Sequence, residues 1–426
     1  MQNNRVVITG IGVISPVGNT IDEFSRALRE GRSGIRHLPE LVERGFRCTI
    51  GGVPQGVDEL VKKRFEESDY LDMDSVARYG CLAALDAWED AGFEIPDRSS
   101  EPNWDAGAII GSESIGLGYV VDKMMPFVAA KKIRRLGSRY IEQTMMSGVA
   151  ARTGGYLGLG NRVSGMNTAS STGIIALVEA YRHIKHGYAK VMLAGASESS
   201  HPYAWSGVDS LRVLACKYNA EPEKASRPMS ASAAGFVPAA GAGVVVLEDL
   251  KHARDRKAHI YAEVSGASIN SGGQRNGGTM TAPNPEGIQR CIQEALDEAG
   301  IYRAATIDLI NGHLTGTFAD PWEIRNWHEA LGLDDPKNMP TIHATKSIVG
   351  HSMVASNAIE NVACMIMLRD GFIHPSINCE DVHPEIEAYA DSIPHEVIEA
   401  PAMTTIVKAG LGFGDTNGCA VFEKMN

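Results

Sequence analysis

No two cysteines in this chain stand at CxxC or CxxH spacing: Cys48, Cys81, Cys216, Cys291, Cys364, Cys379 and Cys419 are scattered singly through 426 residues. That scatter argues against a zinc or disulfide framework and fits reduced thiols in a cytoplasmic protein. A run of 18 or more apolar residues is also missing, so no membrane span is expected. The polar Met1–Arg5 leads straight into a strand, and no signal peptide is expected there. Positive charge is scarce. With Lys+Arg at 40 against Asp+Glu at 52, the net charge is −12, which argues against nucleic acid as a partner, because phosphate binding needs a concentrated basic surface. An acidic partner would have to use local basic spots, and two stand out: Lys62-Lys63-Arg64, and Lys131-Lys132 with Arg134-Arg135. The chain also lacks a Pro/Ser-rich or charged linker, so its parts are expected to share one core, and it lacks a GxSxG nucleophile elbow.

What is present is ordinary in composition and unusual in arrangement. Hydrophobic residues make up 44% and charged residues 22%, as in soluble globular proteins, while 45 glycines imply many tight turns and close backbone contacts. The length exceeds one usual core, so two packed units or a duplicated fold are expected. Val6–Ile14 is a β-branched run of the kind buried on both faces, followed by a turn at Ser15–Asn19 and a helix at Thr20–Glu30. The helix of Cys81–Ala91 leads into a strand at Ala106–Ile110, and Lys190–Gly195 and Gly243–Glu248 read as further strands. Between them, NTASSTGIIALVEAYRHIKHG (Asn167–Gly187) is a polar turn feeding a helix apolar on most sides. The second half repeats this plan. Ala258–Gly273 echoes Arg5–Gly18, Cys291–Ile301 echoes Cys81–Phe93, and Thr306–His313 echoes Asp105–Ser112. Pro340–Gly371 echoes the stretch around Asn167, and Thr404–Gly414 echoes Lys190–Glu198. Alternating strands and helices predict parallel sheets covered by helices, here as two similar halves, 1–250 and 251–426, with a site where strand ends of both meet.

Reactive side chains cluster at those predicted strand ends: Ser170, then His313 in NGHLTGT, then Lys346 and His351 in ATKSIVGH. Serine before a helix is commonly only a cap. A nucleophile there gains from unpaired N–H groups and the helix dipole, and two histidines opposite it suit acyl transfer by donating hydrogen bonds to developing oxyanions.

These motifs, with VVITGIGVISPVGN, ASRPMSASAAGFVPAAGAGVVVLE and GLGFGDTN, run in order across nearly the whole chain. Together they resemble an elongating β-ketoacyl-acyl-carrier-protein synthase of the thiolase superfamily. The resemblance implies an α/β, thiolase-like fold, two pseudo-repeated βαβαβ halves in an α-β-α-β-α core. It also implies decarboxylative condensation of malonyl-carrier protein with an acyl chain, in fatty-acid or polyketide-type synthesis. On it, the nucleophile position falls on Ser170, the catalytic histidines on His313 and His351, the lysine on Lys346, and an orienting acid on Glu360. Thr315 and Thr317 match pantetheine-contacting hydroxyls. Phe413 matches a gating residue whose N–H joins that of Ser170 as the oxyanion hole, and Val120 falls in the acyl pocket. Acyl carrier protein is the implied partner, docking at the two basic spots with Arg212 and Lys217. A homodimer is implied, with a heterodimer of two ketosynthase-like chains as the alternative. No metal or dissociable cofactor is implied, because substrates ride on phosphopantetheine.

The departures are as informative as the matches. The family carries Cys where this chain has Ser170, acidic residues near Ser230, Ser232, Ala234 and Ala240, Ser at Gly410, Gly at Asp415, and a glycine-bounded run at Val354–Asn357. A thiol at a helix start ionises near neutrality, whereas a serine hydroxyl needs a general base. Impaired condensation is therefore expected, alongside two other readings: a chain-length-factor-like partner subunit, and a Ser-dependent acyltransferase or thioesterase.

Overall fold

The computed structural model describes residues 4–71, 73–113 and 116–425; Met1–Asn3 of the polar N-terminus lie outside them. Its centre is a ten-stranded sheet built from β1 (Val6–Ile14), β2 (Ala106–Ser112), β3 (Val163–Ser164), β4 (Val191–Glu198), β5 (Gly241–Asp249), β6 (Ala262–Ser271), β7 (Leu309–Asn311), β8 (Thr341–His343), β9 (Thr405–Gly412) and β10 (Thr416–Glu423). The order across the sheet is β8-β7-β9-β10-β6-β1-β5-β4-β2-β3. It reads alike outward from the β6–β1 junction. On each side two strands pair antiparallel before the outer three run parallel. The expectation of parallel sheets holds for the outer strands and is corrected for the inner ones. β5 and β10 follow their neighbours β4 and β9 in antiparallel fashion, with β9 and β10 joined by a short turn that needs no crossover helix. The two sides meet through only two paired positions, Val7 with Glu263 and Ile8 with Ala262.

Helices cover this sheet in layers. α1 (Ser75–Asp90) and α2 (Gly148–Leu157) pack outside the N-terminal side, and α4 (Pro285–Ala299) and α5 (Asp320–Ala330) outside the C-terminal side. α3 (Thr172–Lys185) and α6 (Ser356–Asp370) lie between the two sides, in one apolar cluster with residues of both. The glycines of β1 follow from this packing: a Cβ on Gly12 would fall 2.0 Å from the carbonyl oxygen of Ala83, so only glycine lets the strand lie against α1. Gly266 in β6 stands in the same relation to α4, 2.1 Å from the Ala295 oxygen. α3 and α6 cross at Gly173, where a Cβ would meet the Ala358 nitrogen at 2.2 Å. A larger residue at any of these positions would push two layers apart, and overpacking of that kind costs about 1–3 kcal/mol or more. Among the described residues no helix is long and apolar enough to cross a membrane.

Candidate active site

The turn before α3 is held in a conformation its sequence does not favour. Ala169 has φ 51°, in the left-handed region that costs a non-glycine residue about 1 kcal/mol or more. Local hydrogen bonds hold it there: Asn167 Oδ1 accepts from the Ala169 N–H at 2.9 Å. The Thr172 hydroxyl accepts from the Thr168 N–H at 2.8 Å and donates to the Ala169 carbonyl at 2.7 Å. Neither serine caps the helix. Ser171 occupies the cap position without a capping bond, its hydroxyl donating to the Thr168 carbonyl at 2.7 Å. Ser170 precedes it, half-buried, with Oγ 3.2 Å from His351 Nε2 and its carbonyl accepting from the Asn357 side chain.

His313 and His351 approach from the C-terminal side, their rings edge to face with centroids 5.6 Å apart. His313 follows β7 in a loop fixed by two buried carboxylates of α5. Glu323 accepts from the N–H groups of His313 at 2.5 Å and Leu314 at 2.7 Å, and Asp320 from those of Thr315 at 2.8 Å and Gly316 at 2.9 Å. His351 is fixed through its other nitrogen. The Met353 N–H donates to Nδ1 at 3.0 Å, and the Ser356 hydroxyl lies 2.8 Å from the same atom. A backbone N–H can only donate, so Nδ1 is the acceptor and Nε2 carries the proton that points at Ser170.

Burial dominates the electrostatics. Both histidines are pushed well below the ordinary imidazole value, first by desolvation and next by the positive Lys346, so both are neutral at physiological pH. Lys346 is itself buried, with Nζ 2.5 Å from Glu360 Oε1. On the N-terminal side, Glu113 faces the fully buried Glu198, whose carboxylate accepts from the Val354 N–H at 3.1 Å. Desolvation, opposed by the hydrogen bond to Glu198 and aided by the charge of Asp74, raises Glu113 to about 7, while desolvation and the like charge of Glu113 raise Glu198 well above its ordinary value.

A cavity of about 520 Å³ gathers Ser170, His313, His351, Thr315, Thr317 and Phe413 on one wall system, with Glu113, Phe236 and Val354. Thr315 and Thr317 hydroxyls lie 3.0 Å apart. Lys346 and Glu360 stand behind this wall, buried. Val120, expected in the acyl pocket, sits in a π-helical turn (Val120–Met124) and does not line the cavity. The proposed docking residues also separate. Arg64 is engaged with Asp86 and Glu89, and Lys62 with Glu59 at 2.8 Å. Lys131, Lys132, Arg134 and Arg135 are exposed around a short 3-10 turn. Arg212 alone stands next in sequence to cavity-lining residues, Leu211 and Val213, while Lys217 packs over Tyr218.

The sequence reading missed Asp320, Glu323, Asn357, Ser356, Glu113 and Lys408. A signal existed for Lys408, the one charged residue in the otherwise apolar TIVKAGLG, and for the DxxE spacing of Asp320 and Glu323. Three of the altered family positions, Ser230, Ser232 and Asp415, are accounted for locally. Asp381, not a residue near Ser230, supplies the carboxylate that Arg227, Ser230 and Ser232 meet. Asp415, at φ 61°, accepts from the N–H groups of Gln274 and Asn284 at 2.8 Å each and so ties down the loop before α4.

The sequence matches the family models described as beta-ketoacyl synthase, N-terminal domain, over residues 3–253 and beta-ketoacyl synthase, C-terminal domain, over residues 261–380. It is 32% identical to the 3-oxoacyl-[acyl-carrier-protein] synthase 2 of Vibrio cholerae, over 100% of both chains. To the synthase 1 of Escherichia coli it is 33% identical, over 99% of both. Among solved structures, a beta-ketoacyl synthase from Burkholderia phymatum superposes with TM-score 0.89 at 28% identity, covering 99% of this chain and 100% of that one. A type II polyketide synthase complex of an acyl-carrier protein with its ketosynthase, bound to the hexaketide, superposes with TM-score 0.85 at 27% identity over 100% of both chains.

Proposed function

The chain belongs to the β-ketoacyl synthase family, and from that premise we propose that its histidine side performs decarboxylation while Ser170 holds back acyl transfer. It is a condensing acyltransferase of the 3-oxoacyl-[acyl-carrier-protein] synthase type, of fatty-acid or polyketide synthesis. In the proposed sequence, the bond between the malonyl α-carbon and its carboxylate breaks, CO₂ leaves, and the electron pair moves onto the thioester carbonyl as an enolate. His351 Nε2–H and the neutral His313 donate hydrogen bonds to that oxygen, an electrostatic effect worth about 3–4 kcal/mol per donor in comparable sites. Lys346, oriented by Glu360, supplies positive charge behind them.

Condensation then requires an acyl group on the nucleophile. The single observation that carries the reading is the Met353 N–H on His351 Nδ1, at 3.0 Å. It leaves Nε2 protonated, so His351 cannot take the proton of Ser170 Oγ, and a hydroxyl without a base is a poor nucleophile. The same tautomer counts against a serine hydrolase. The enolate is therefore protonated by solvent, and malonyl-carrier protein becomes acetyl-carrier protein. In this reading the backbone N–H groups of Ser170 and Phe413 serve as the oxyanion hole, Thr315 and Thr317 hold pantetheine, and no dissociable cofactor takes part. Acyl carrier protein is the partner, and Arg212 and Lys217 are its docking residues. A homodimer is supported by the exposed Met125, Val128, Ile133, Ile141 and Met146, apolar side chains interspersed with cations on one segment that a second chain would cover, and a cytoplasmic location by seven free cysteines.

The test is mass spectrometry of the protein and products after incubation with malonyl-carrier protein and with acyl-carrier protein. Acetyl-carrier protein without an acylated chain is the expected result. An acyl-Ser170 adduct turning over to β-ketoacyl product would overturn the proposal.

A further inference from the structure

Strand β9 carries a single charged side chain, Lys408, and it is fully buried. An isolated ammonium in such surroundings costs several kcal/mol, so its partners matter. Its Nζ lies 2.8 Å from Glu360 Oε2 and donates to the Ala409 carbonyl at 2.5 Å. The other oxygen of Glu360 is taken by Lys346 Nζ. One buried carboxylate is thus shared by two buried ammonium groups. Lys346 alone would neutralise Glu360; the second lysine leaves the group with one unbalanced positive charge, directly behind the histidines.

We propose that Lys408 is a positioning residue: by occupying one oxygen of Glu360 it leaves the charge of Lys346 acting on His313 and His351, keeping both as neutral N–H donors. The inference rests on the reading of those histidines as donors to an enolate. Around His313 the charged and titratable groups are Lys346 and His351 beyond β8, Lys408 on β9, Asp320 and Glu323 on α5, and Glu360 on α6. Lys346, His351 and Lys408 each oppose protonation of His313, in that order after desolvation. Glu323 is held up to about 7 by its own burial, so it offsets little of this positive field near neutral pH. In a low-dielectric interior a unit charge a few ångströms further off is still felt at the level of about one kcal/mol or more, close to one pH unit.

The experiment is histidine-labelled NMR of the full chain during acidification, alongside malonyl-carrier-protein decarboxylation against pH. In Lys408→Met the protonated signal of His313 should emerge about one pH unit earlier than in the native chain, and the acid limb of decarboxylation should move up by the same amount. Lys408→Arg, which keeps the charge, should leave both in place. The double variant Lys408→Met/Glu360→Gln leaves Lys346 as the only charge of the three, restoring the net positive charge, and should return the His313 signal to its native position. Unchanged His313 titration in Lys408→Met, or failure of the double variant to restore it, overturns the proposal. Should Lys408→Met not fold, the double variant decides alone: early protonation of His313 in it overturns the proposal. A native chain that releases no CO₂ while the His313 shifts occur as stated removes the decarboxylation reading and leaves the electrostatic role of Lys408 standing.

Discussion

The two faces of the cavity differ in how completely their parts are matched. On the C-terminal face the two histidines and the charge behind them are each braced by neighbours, with Glu323 and Asp320 fixing the His313 loop, Met353 and Ser356 fixing His351, and Glu360 fixing Lys346. On the N-terminal face the strained turn is retained, with Ala169 at φ 51° and its hydrogen bonds intact, and the side chain it presents is a hydroxyl 3.2 Å from His351 Nε2. On the proposed reading, the turn keeps its strain while presenting a weak nucleophile, so that backbone shape and side-chain chemistry are separable properties of one site.

The largest way to sharpen this contrast is to change the side chain alone. Ser170→Cys places a thiol in the same turn, and β-ketoacyl product measured by mass spectrometry should rise by at least about 100-fold, since a thiolate needs no dedicated base. No gain would mean that the turn, and not the hydroxyl, is defective.

Acidity separates the faces in the opposite direction. The folded-state pKa of Glu113 is raised to about 7 from an ordinary 4.5, so its ionisation weakens the fold above pH 4.5 and most fully above pH 7. His374, behind the histidine face, is lowered to about 4 from 6.5, so its stabilising neutrality is present above pH 6.5 and is lost as pH falls toward 4. Glu113→Gln should therefore raise stability by up to about 3 kcal/mol at pH 8, with the gain fading between pH 7 and 4.5. Denaturant melts across that range check both the size and the sign; a gain that grew on acidification would break the comparison.

The smallest effect concerns docking. Arg212→Glu, beside cavity-lining Leu211, should raise KM for carrier-bound substrates by about 3–10-fold at low salt with kcat unchanged, because rim charges steer encounter. Lys62→Glu, whose native partner is Glu59, should change it by less than about twofold.

Sequence by itself determined the duplication, the strand ends that carry Ser170, His313 and His351, and the serine at position 170, because these are written in local periodicity and in ordered motifs. It also set the glycines of β1 and β6 in place, although why they must be glycine emerged only from the carbonyls of α1 and α4 packed against them. Tertiary structure decided the antiparallel inner strands, since pairing direction depends on which distant strand arrives alongside. It decided the tautomer of His351, which hangs on one backbone N–H. It also excluded Val120 from the cavity and brought Lys408 onto Glu360, 2.8 Å apart across 48 residues of chain. Charges so far apart in sequence interact strongly only when folding removes the water between them.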